Sequence, residues 1–304
     1  MDKQLELIFN PQADRGRAGQ TASDLRRLFE ELGPVHWAPT KYPNHAAEIA
    51  ARAAADGFQV VAALGGDGTV HEIINGLMQI DAAQRPALGI VPIGSGNDFA
   101  GGAGVLRPPP EAVQRILAGQ TKPVDLGLIR DEHGRLEYWD NVCGIGFDAA
   151  VNLQSRTIPL VHGFLMYLAA TLKTVALNYD APMMKLAWDD GSVEKPILML
   201  TVGNGPREGG GFQTTPESKM DDGVLDFVYI EKVSRPMMLR LIPEVMNGTH
   251  ARFPQVAIRR TTKLTLDADR PLPIHLDGEV FARYEANVRH VEVEVVPGAI
   301  NLIR

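Results

Sequence analysis

Residues 60–77, VVAALGGDGTVHEIINGL, constrain this chain more than any other stretch. An apolar run ends at Leu64, Gly65-Gly66-Asp67-Gly68 makes a tight turn, and the pattern predicts a helix opening after Thr69. A strand passing through a glycine turn into a helix is the front half of a βαβ unit. It also makes a seat for phosphate, because the helix start offers unpaired N–H donors and a partial positive charge. Three glycines let the backbone approach a ligand closely and adopt positive φ. Thr69 and Glu72 fit a T-x-x-E capping box, which accounts for both without a ligand. Asp67 has no such explanation: a carboxylate beside a phosphate is repelled unless a cation such as Mg²⁺ lies between them. The spacing is neither a dinucleotide-binding G-x-G-x-x-G nor a P-loop, since no G-K-[ST] follows.

The surrounding pattern extends this unit. Strand-like runs at 5–10, 59–64, 87–91 and 124–129 alternate with helical patterns at 19–32, 44–56, 70–78 and 111–118, with a proline turn at 108–110. This predicts a mostly parallel sheet, with glycines where its strands end and where open α/β sheets bind ligands. From about residue 131 the period changes. Runs at 195–203, 224–230, 263–268, 273–277 and 291–296 read as strands; in the last, Val291, Val293 and Val295 share one face and Glu292 and Glu294 the other. One helix is clear there, at 236–246. The expected architecture is an α/β N-terminal domain followed by an all-β, sandwich-like C-terminal domain. The boundaries fall at 1–128 for the α/β domain, with 298–304 returning to it, and 129–297 for the β-rich domain.

Composition narrows the partners. A chain of 304 residues predicts two domains. A formal charge of −7 without a Lys/Arg run speaks against nucleic acid. Cys143 is the sole cysteine, so an intrachain disulfide and a multi-cysteine metal site are both excluded. The first residues lack a signal-peptide pattern, which predicts a cytoplasmic protein. The least polar stretch, 158–177, includes His162, Gly163 and Lys173 and falls short of a membrane span. By length it reads as a buried core helix; the sharper reading is an exposed apolar surface beside a site that must meet lipid. Residues 291–296 would suit an edge strand and, through it, a homodimer.

A second glycine turn follows the strand at 87–91: Pro92-Ile93-Gly94-Ser95-Gly96-Asn97-Asp98-Phe99-Ala100. Together with GGDGT it resembles the diacylglycerol kinase catalytic family, within the superfamily of sphingosine and NAD kinases and phosphofructokinases. The nearest likeness is to bacterial YegS-type lipid kinases. Further matches run in the family's order: Asn10-Pro11 through Gly16 and Gly19, Thr40, Asp125-Leu126-Gly127, Gly144-Ile145-Gly146-Phe147-Asp148-Ala149, residues 216–226, and Asp277-Gly278-Glu279.

The resemblance implies ATP and Mg²⁺ as cofactors and a lipid alcohol at the membrane surface as acceptor, met by transient peripheral contact. It implies a nucleotide site made by Asn10, Pro11, Arg15, Gly16, Thr40, Gly65, Gly66, Asp67, Gly68, Thr69, Val70, His71, Glu72, Ser95, Asn97 and Asp98. It further implies Mg²⁺ on the Asp222 side chain and the carbonyls of Lys219 and Val224, with Asp67 organising Mg·ATP and Glu279 as the catalytic base. A carboxylate base suits an alcohol that must lose a proton as it attacks phosphate. An NAD kinase-like enzyme and a non-catalytic nucleotide or lipid sensor are the alternatives, and the sequence leaves open which lipid is phosphorylated and whether ATP or GTP is used.

Overall fold

The computed structural model describes residues 5–11, 17–30, 35–158, 164–177 and 180–304. It divides into two compact units, Met1–Leu126 with Pro297–Arg304, and Gly127–Val296.

The first unit is built on β1 (Leu5–Phe9), α1 (Arg17–Glu30), β2 (Val35–Pro39), α2 (His45–Ala50), β3 (Val60–Gly65), α3 (Asp67–Leu77), β4 (Ala87–Pro92), α4 (Asp98–Gly102) and α5 (Pro109–Ala118). Its strands lie in the order β4-β3-β1-β2, all parallel. Every residue of β3 is buried, as the unbroken apolar run Val60–Leu64 requires of a strand covered on both faces. Leu302 pairs in parallel with Leu88, so the chain's last residues do add a strand segment beside β4. Leu7, Phe29, Leu64, Val91, Val113 and Ile303 meet in one core. Helix α5 starts on Pro109 and stops at Gly119, whose φ of 63° is the left-handed cap that glycine supplies.

Two elements here were not expected from the sequence. Strand β2 is an edge strand that ends on Pro39 and is only half-buried, so its apolar signal is weak. Helix α4 is a single short turn after the second glycine loop. The expected helix at 44–56 is regular only to Ala50, beyond which the backbone continues as hydrogen-bonded turns to Gly57.

The second unit takes in the end of β5 (Thr121–Asp131), then β6 (Leu136–Trp139), β7 (Val142–Gly146), α6 (Phe147–Ser155), α7 (Phe164–Leu177), β8 (Met183–Trp188), β9 (Gly191–Gly203), β10 (Leu225–Glu231), α8 (Arg235–Met246), β11 (Val256–Thr261), β12 (Lys263–Ala268), β13 (Ile274–Leu276), β14 (Glu279–Ala282) and the first half of β15 (His290–Ile303). Its pairings are antiparallel. The long strand β9 links two sheets: residues up to Pro196 pair with β8, and the remainder pairs with β7 and β10. Trp139, Ile145, Leu186, Phe227, Leu264 and Val291 fill the core.

Three expectations for this unit are corrected. Strand β15 pairs with β12 over residues 290–294 and, along its length, also with β5, so the strand expected as an edge at 291–296 has two neighbours within the chain. Helix α6 was not foreseen; its small residues follow a glycine motif that reads as a turn. The apolar stretch at 158–177 is not a buried core helix. Within α7 only Ala170, Thr171, Thr174 and Val175 are buried, while Leu165 and Leu177 are each 64% exposed. Residues 159–163 of that stretch lie outside the described residues. Among the described residues no helix is long and apolar enough to cross a membrane.

Candidate active site

The parallel sheet aligns its strand ends. Phe9 is in register with Leu64 on one side and Pro39 on the other, and Gly65 with Pro92. Asn10 and Pro11, Thr40, the GGDGT turn and the Gly94–Asp98 turn therefore all emerge at one carboxyl edge. The strand order reverses between β1 and β3, the position where such sheets open a crevice for ligands. Thr40 is fixed there by its N–H, which donates to the Phe9 carbonyl at 2.8 Å. Arg15 and Gly16 lie outside the described residues.

The GGDGT turn differs from expectation in one respect. Helix α3 begins at Asp67, not after Thr69, with Gly66 as its N-cap, so Asp67, Gly68 and Thr69 form its first turn. No glycine of either turn has positive φ; what they provide is proximity. A Cβ on Gly94 would collide with the backbone of Gly66, and one on Gly66 would lie 3.0 Å from the Gly94 Cα. The Ile93 N–H donates to the Gly65 carbonyl at 3.0 Å and ties the two turns together.

Asp67 faces the second turn. Its Oδ1 accepts the Phe99 N–H at 3.4 Å, and Gly96 lies against the carboxylates of both Asp67 and Asp98. Asp98 is buried and Ser95 is exposed. Asn97, at φ 52°, spends its amide on the loop: it donates to the Gly94 carbonyl at 2.7 Å and accepts the Gly94 N–H at 3.0 Å. It shapes the turn. Val70 and His71 are buried on α3, and the Asn75 amide contacts both the His71 carbonyl and its ring. The expected capping box is not formed. Glu72 instead accepts the N–H groups of Asn44 and Ala46, at 3.0 and 3.1 Å, and caps α2.

In the second unit the Asp277-Gly278-Glu279 turn is held from several sides. The Asp277 carboxylate accepts the N–H groups of Asp140, Asn141 and Val142 at 2.9, 2.9 and 3.0 Å. The Gly278 carbonyl accepts from Asn152 Nδ2 at 2.8 Å and Arg156 at 2.7 Å. Glu279 is half-exposed and pairs with Arg156 at 2.9 Å. Asn152 sits on helix α6 and Arg156 is its C-cap; neither belongs to a motif, so only the three-dimensional turn reveals them.

The turn at residues 219–224 is reached by Arg260, which pairs with the Asp222 carboxylate and lies 3.6 Å from Asp226. Burial raises the Asp226 pKa, and Arg260 works against that rise. Val224 donates its N–H to Asp222 Oδ1 at 3.4 Å. Asp125 is a buried strand residue that accepts the Gly298 N–H at 2.7 Å. Cys143 is buried and its thiol is pushed well up by that burial, which makes it unreactive.

A parallel sheet with two interlocked glycine turns at its carboxyl edge, in one chain with an antiparallel β-rich unit, is the plan of the diacylglycerol kinase and NAD kinase fold class. The family model of the diacylglycerol kinase catalytic domain matches residues 4–129, and that of the YegS C-terminal NAD kinase beta sandwich-like domain matches residues 141–304. A Chromohalobacter salexigens protein named "Probable lipid kinase YegS-like" is 36% identical over 84% of this chain and 78% of its own. A Mycobacterium tuberculosis protein named diacylglycerol kinase is 28% identical over 86% of this chain and 82% of its own. A crystal structure of a diacylglycerol kinase from Bacillus anthracis superposes with a TM-score of 0.73 at 22% identity, covering 99% of this chain and 96% of that one; the likeness is one of fold. The chain belongs to the YegS-like, diacylglycerol kinase-related family of lipid kinases.

Proposed function

We propose that the protein transfers the γ-phosphate of ATP to a lipid hydroxyl, with Mg²⁺ and with diacylglycerol or a related glycerolipid as acceptor. The observation that carries this reading is the alignment of four strand ends that gathers Asn10, Thr40, Asp67 and Asp98 along one edge. The N-terminus of α3 and the turn glycines offer backbone donors to the phosphates. Arg15 and Gly16 complete that cradle in this reading, with Thr69 and Ser95 supplying hydroxyls.

The donor set fits a hard divalent cation: the carboxylates of Asp67 and Asp98 both border Gly96. Mg²⁺ would supply charge neutralisation between those carboxylates and the phosphates. At the other turn, the Asp222 carboxylate and the carbonyls of Lys219 and Val224 would hold Mg²⁺, with the Asp222 charge shared with Arg260.

Glu279 takes the proton of the acceptor hydroxyl. The acceptor oxygen then bonds to the γ-phosphorus, the bond to the bridging oxygen breaks, ADP leaves with the electron pair, and Glu279 returns its proton to solvent. Arg156 positions Glu279. The exposed leucines of α7, Leu165, Leu172 and Leu177, suit brief contact with the membrane that supplies the acceptor. The test is phosphate transfer from labelled ATP to a lipid panel in mixed micelles, with Asp67→Ala and Glu279→Ala as controls. Activity that survives both substitutions, or transfer to NAD with none to lipid, overturns the reading.

A further inference from the structure

Asp277 and Gly278 alone join β13 to β14, since Leu276 pairs with Glu279 across the hairpin. Both have positive φ, 52° and 86°, the type I′ geometry that an Asp-Gly pair favours in a two-residue hairpin. Neither N–H belongs to the strand ladder, so each needs an acceptor from elsewhere. The Asp277 N–H donates to the Val142 carbonyl at 2.8 Å. The Gly278 N–H donates to a side chain, His275 Nδ1, at 3.3 Å. Glu279 is the next residue. The imidazole therefore grips the backbone one residue before the candidate base.

The ring has little room to move. His275 is buried on β13, where it pairs with Gly144 of β7. A Cβ on Gly144 would lie 2.2 Å from His275 Nε2, so the imidazole rests on glycine backbone that no other residue could supply. Nε2 itself lies 3.5 Å from Asp148 and 3.6 Å from Glu208, with a hydrogen bond to neither. Asp148 is pinned in turn by Thr201, whose hydroxyl donates to the other Asp148 oxygen at 2.5 Å.

These contacts select a tautomer. A ring nitrogen that accepts an N–H carries no proton, so the proton of the neutral imidazole sits on Nε2. Two carboxylates facing Nε2 favour that placement electrostatically, as a carboxylate behind a catalytic histidine does. The ring thus offers a lone pair to Gly278 and a proton to the acids.

We propose that His275 is a positioning residue for Glu279: its Nδ1 lone pair holds the Gly278 N–H and so fixes the direction in which the hairpin delivers the carboxylate. Asp148 acts on the turn through the ring, by keeping the ring proton on Nε2. Arg156 grips the Glu279 side chain, and His275 grips the backbone that carries it. The proposal rests on the reading of Glu279 as the base in lipid phosphorylation and adds a residue that sets its geometry. His275 touches no substrate in this role, so its loss lowers kcat and leaves KM for ATP alone.

Three substitutions separate the two ring nitrogens. His275→Asn places an amide oxygen near the position of Nδ1 and keeps an acceptor for Gly278. His275→Gln reaches toward Nε2 instead, and His275→Leu keeps neither. In diacylglycerol phosphorylation, kcat is expected to fall about tenfold or more in the Leu and Gln variants, with KM for ATP within about twofold of the parent. His275→Asn is expected to recover most of that loss. A role in packing alone would make the smaller, polar Asn at least as damaging as Leu, and that order overturns the proposal. Two measurements on the parent need neither a variant nor turnover. The ¹⁵N shifts of the His275 ring at mildly alkaline pH should place the proton on Nε2; a proton on Nδ1 overturns the proposal. Hydrogen exchange at the Gly278 amide should be slower than in a free peptide by about tenfold or more, and exchange at the free-peptide rate overturns it too. Both readings as expected, in a protein that phosphorylates no lipid, support the hold on Gly278 and count against the kinase reading alone.

Discussion

Arg156 Nη2 lies 2.9 Å from the Glu279 carboxylate and 2.7 Å from the Gly278 carbonyl, so one guanidinium holds both the side chain and the backbone of the D-G-E turn. Both partners are about half-exposed, with relative exposures of 43% and 50%. The pair therefore contributes little to stability, about 0–1 kcal/mol. In the proposed mechanism its role is to aim the carboxylate. Arg156→Ala is expected to leave urea unfolding within about 1 kcal/mol of the parent while kcat for lipid phosphorylation falls about tenfold or more. Arg156→Lys, which keeps the charge but loses the fork, is expected to recover only part of that loss. A normal kcat in Arg156→Ala contradicts the positioning role.

Gly94 and Gly66 touch backbone to backbone. Gly94→Ala forces the two glycine turns apart and is expected to cost about 1–3 kcal/mol by thermal or urea unfolding, with loss of nucleotide affinity. Unaltered nucleotide binding in a folded Gly94→Ala protein would show that the close approach of the turns is not needed.

Glu72 acts on a neighbouring helix. Because it accepts the Asn44 and Ala46 N–H groups, Glu72→Ala is expected to destabilise the protein by about 1 kcal/mol, the usual worth of a lost N-cap. Hydrogen exchange at the Asn44 and Ala46 amides should accelerate, and exchange at the start of α3 should not.

His250 is fully buried, and its ring donates from Nε2 to the Thr214 carbonyl at 3.0 Å. Burial is the main cause of a pKa lowered from the ordinary 6.5. A histidine whose folded pKa is depressed binds fewer protons when folded. Its stabilising share is therefore complete above the unfolded value and is lost as pH falls from about 6.5 through the folded value. Stability measured by urea unfolding should drop between pH 7 and pH 5, and His250→Gln, which keeps a donor for Thr214, should flatten that part of the slope.

The parallel half of the fold is legible because continuous apolar runs and glycine turns leave few alternatives. Val60–Leu64 admits only a strand buried on both faces, and the turn after it only a helix start. What sequence could not show is which partner a polar group takes. Glu72 and Thr69 have capping-box spacing, yet Glu72 reaches a helix 26 residues away in sequence. Asn97 looks like a ligand group, and its amide makes two hydrogen bonds within its own loop. Arg156 and Asn152 carry no motif, and their contacts with the D-G-E turn exist only because α6 and its C-cap pack beside it. Helix α7 is ambiguous in sequence because an all-apolar helix satisfies both a buried and an exposed reading until its neighbours are known.

The most direct test of the account is single-turnover transfer from γ-labelled ATP to diacylglycerol in mixed micelles, run beside nucleotide titration for the parent protein and Glu279→Gln. The account predicts lipid phosphate from the parent. In Glu279→Gln, nucleotide affinity should be unchanged and the transfer rate lower by about 10²–10⁴-fold, the usual share of a general base. Transfer at the parent rate by Glu279→Gln, or labelled NAD with no labelled lipid, would contradict it.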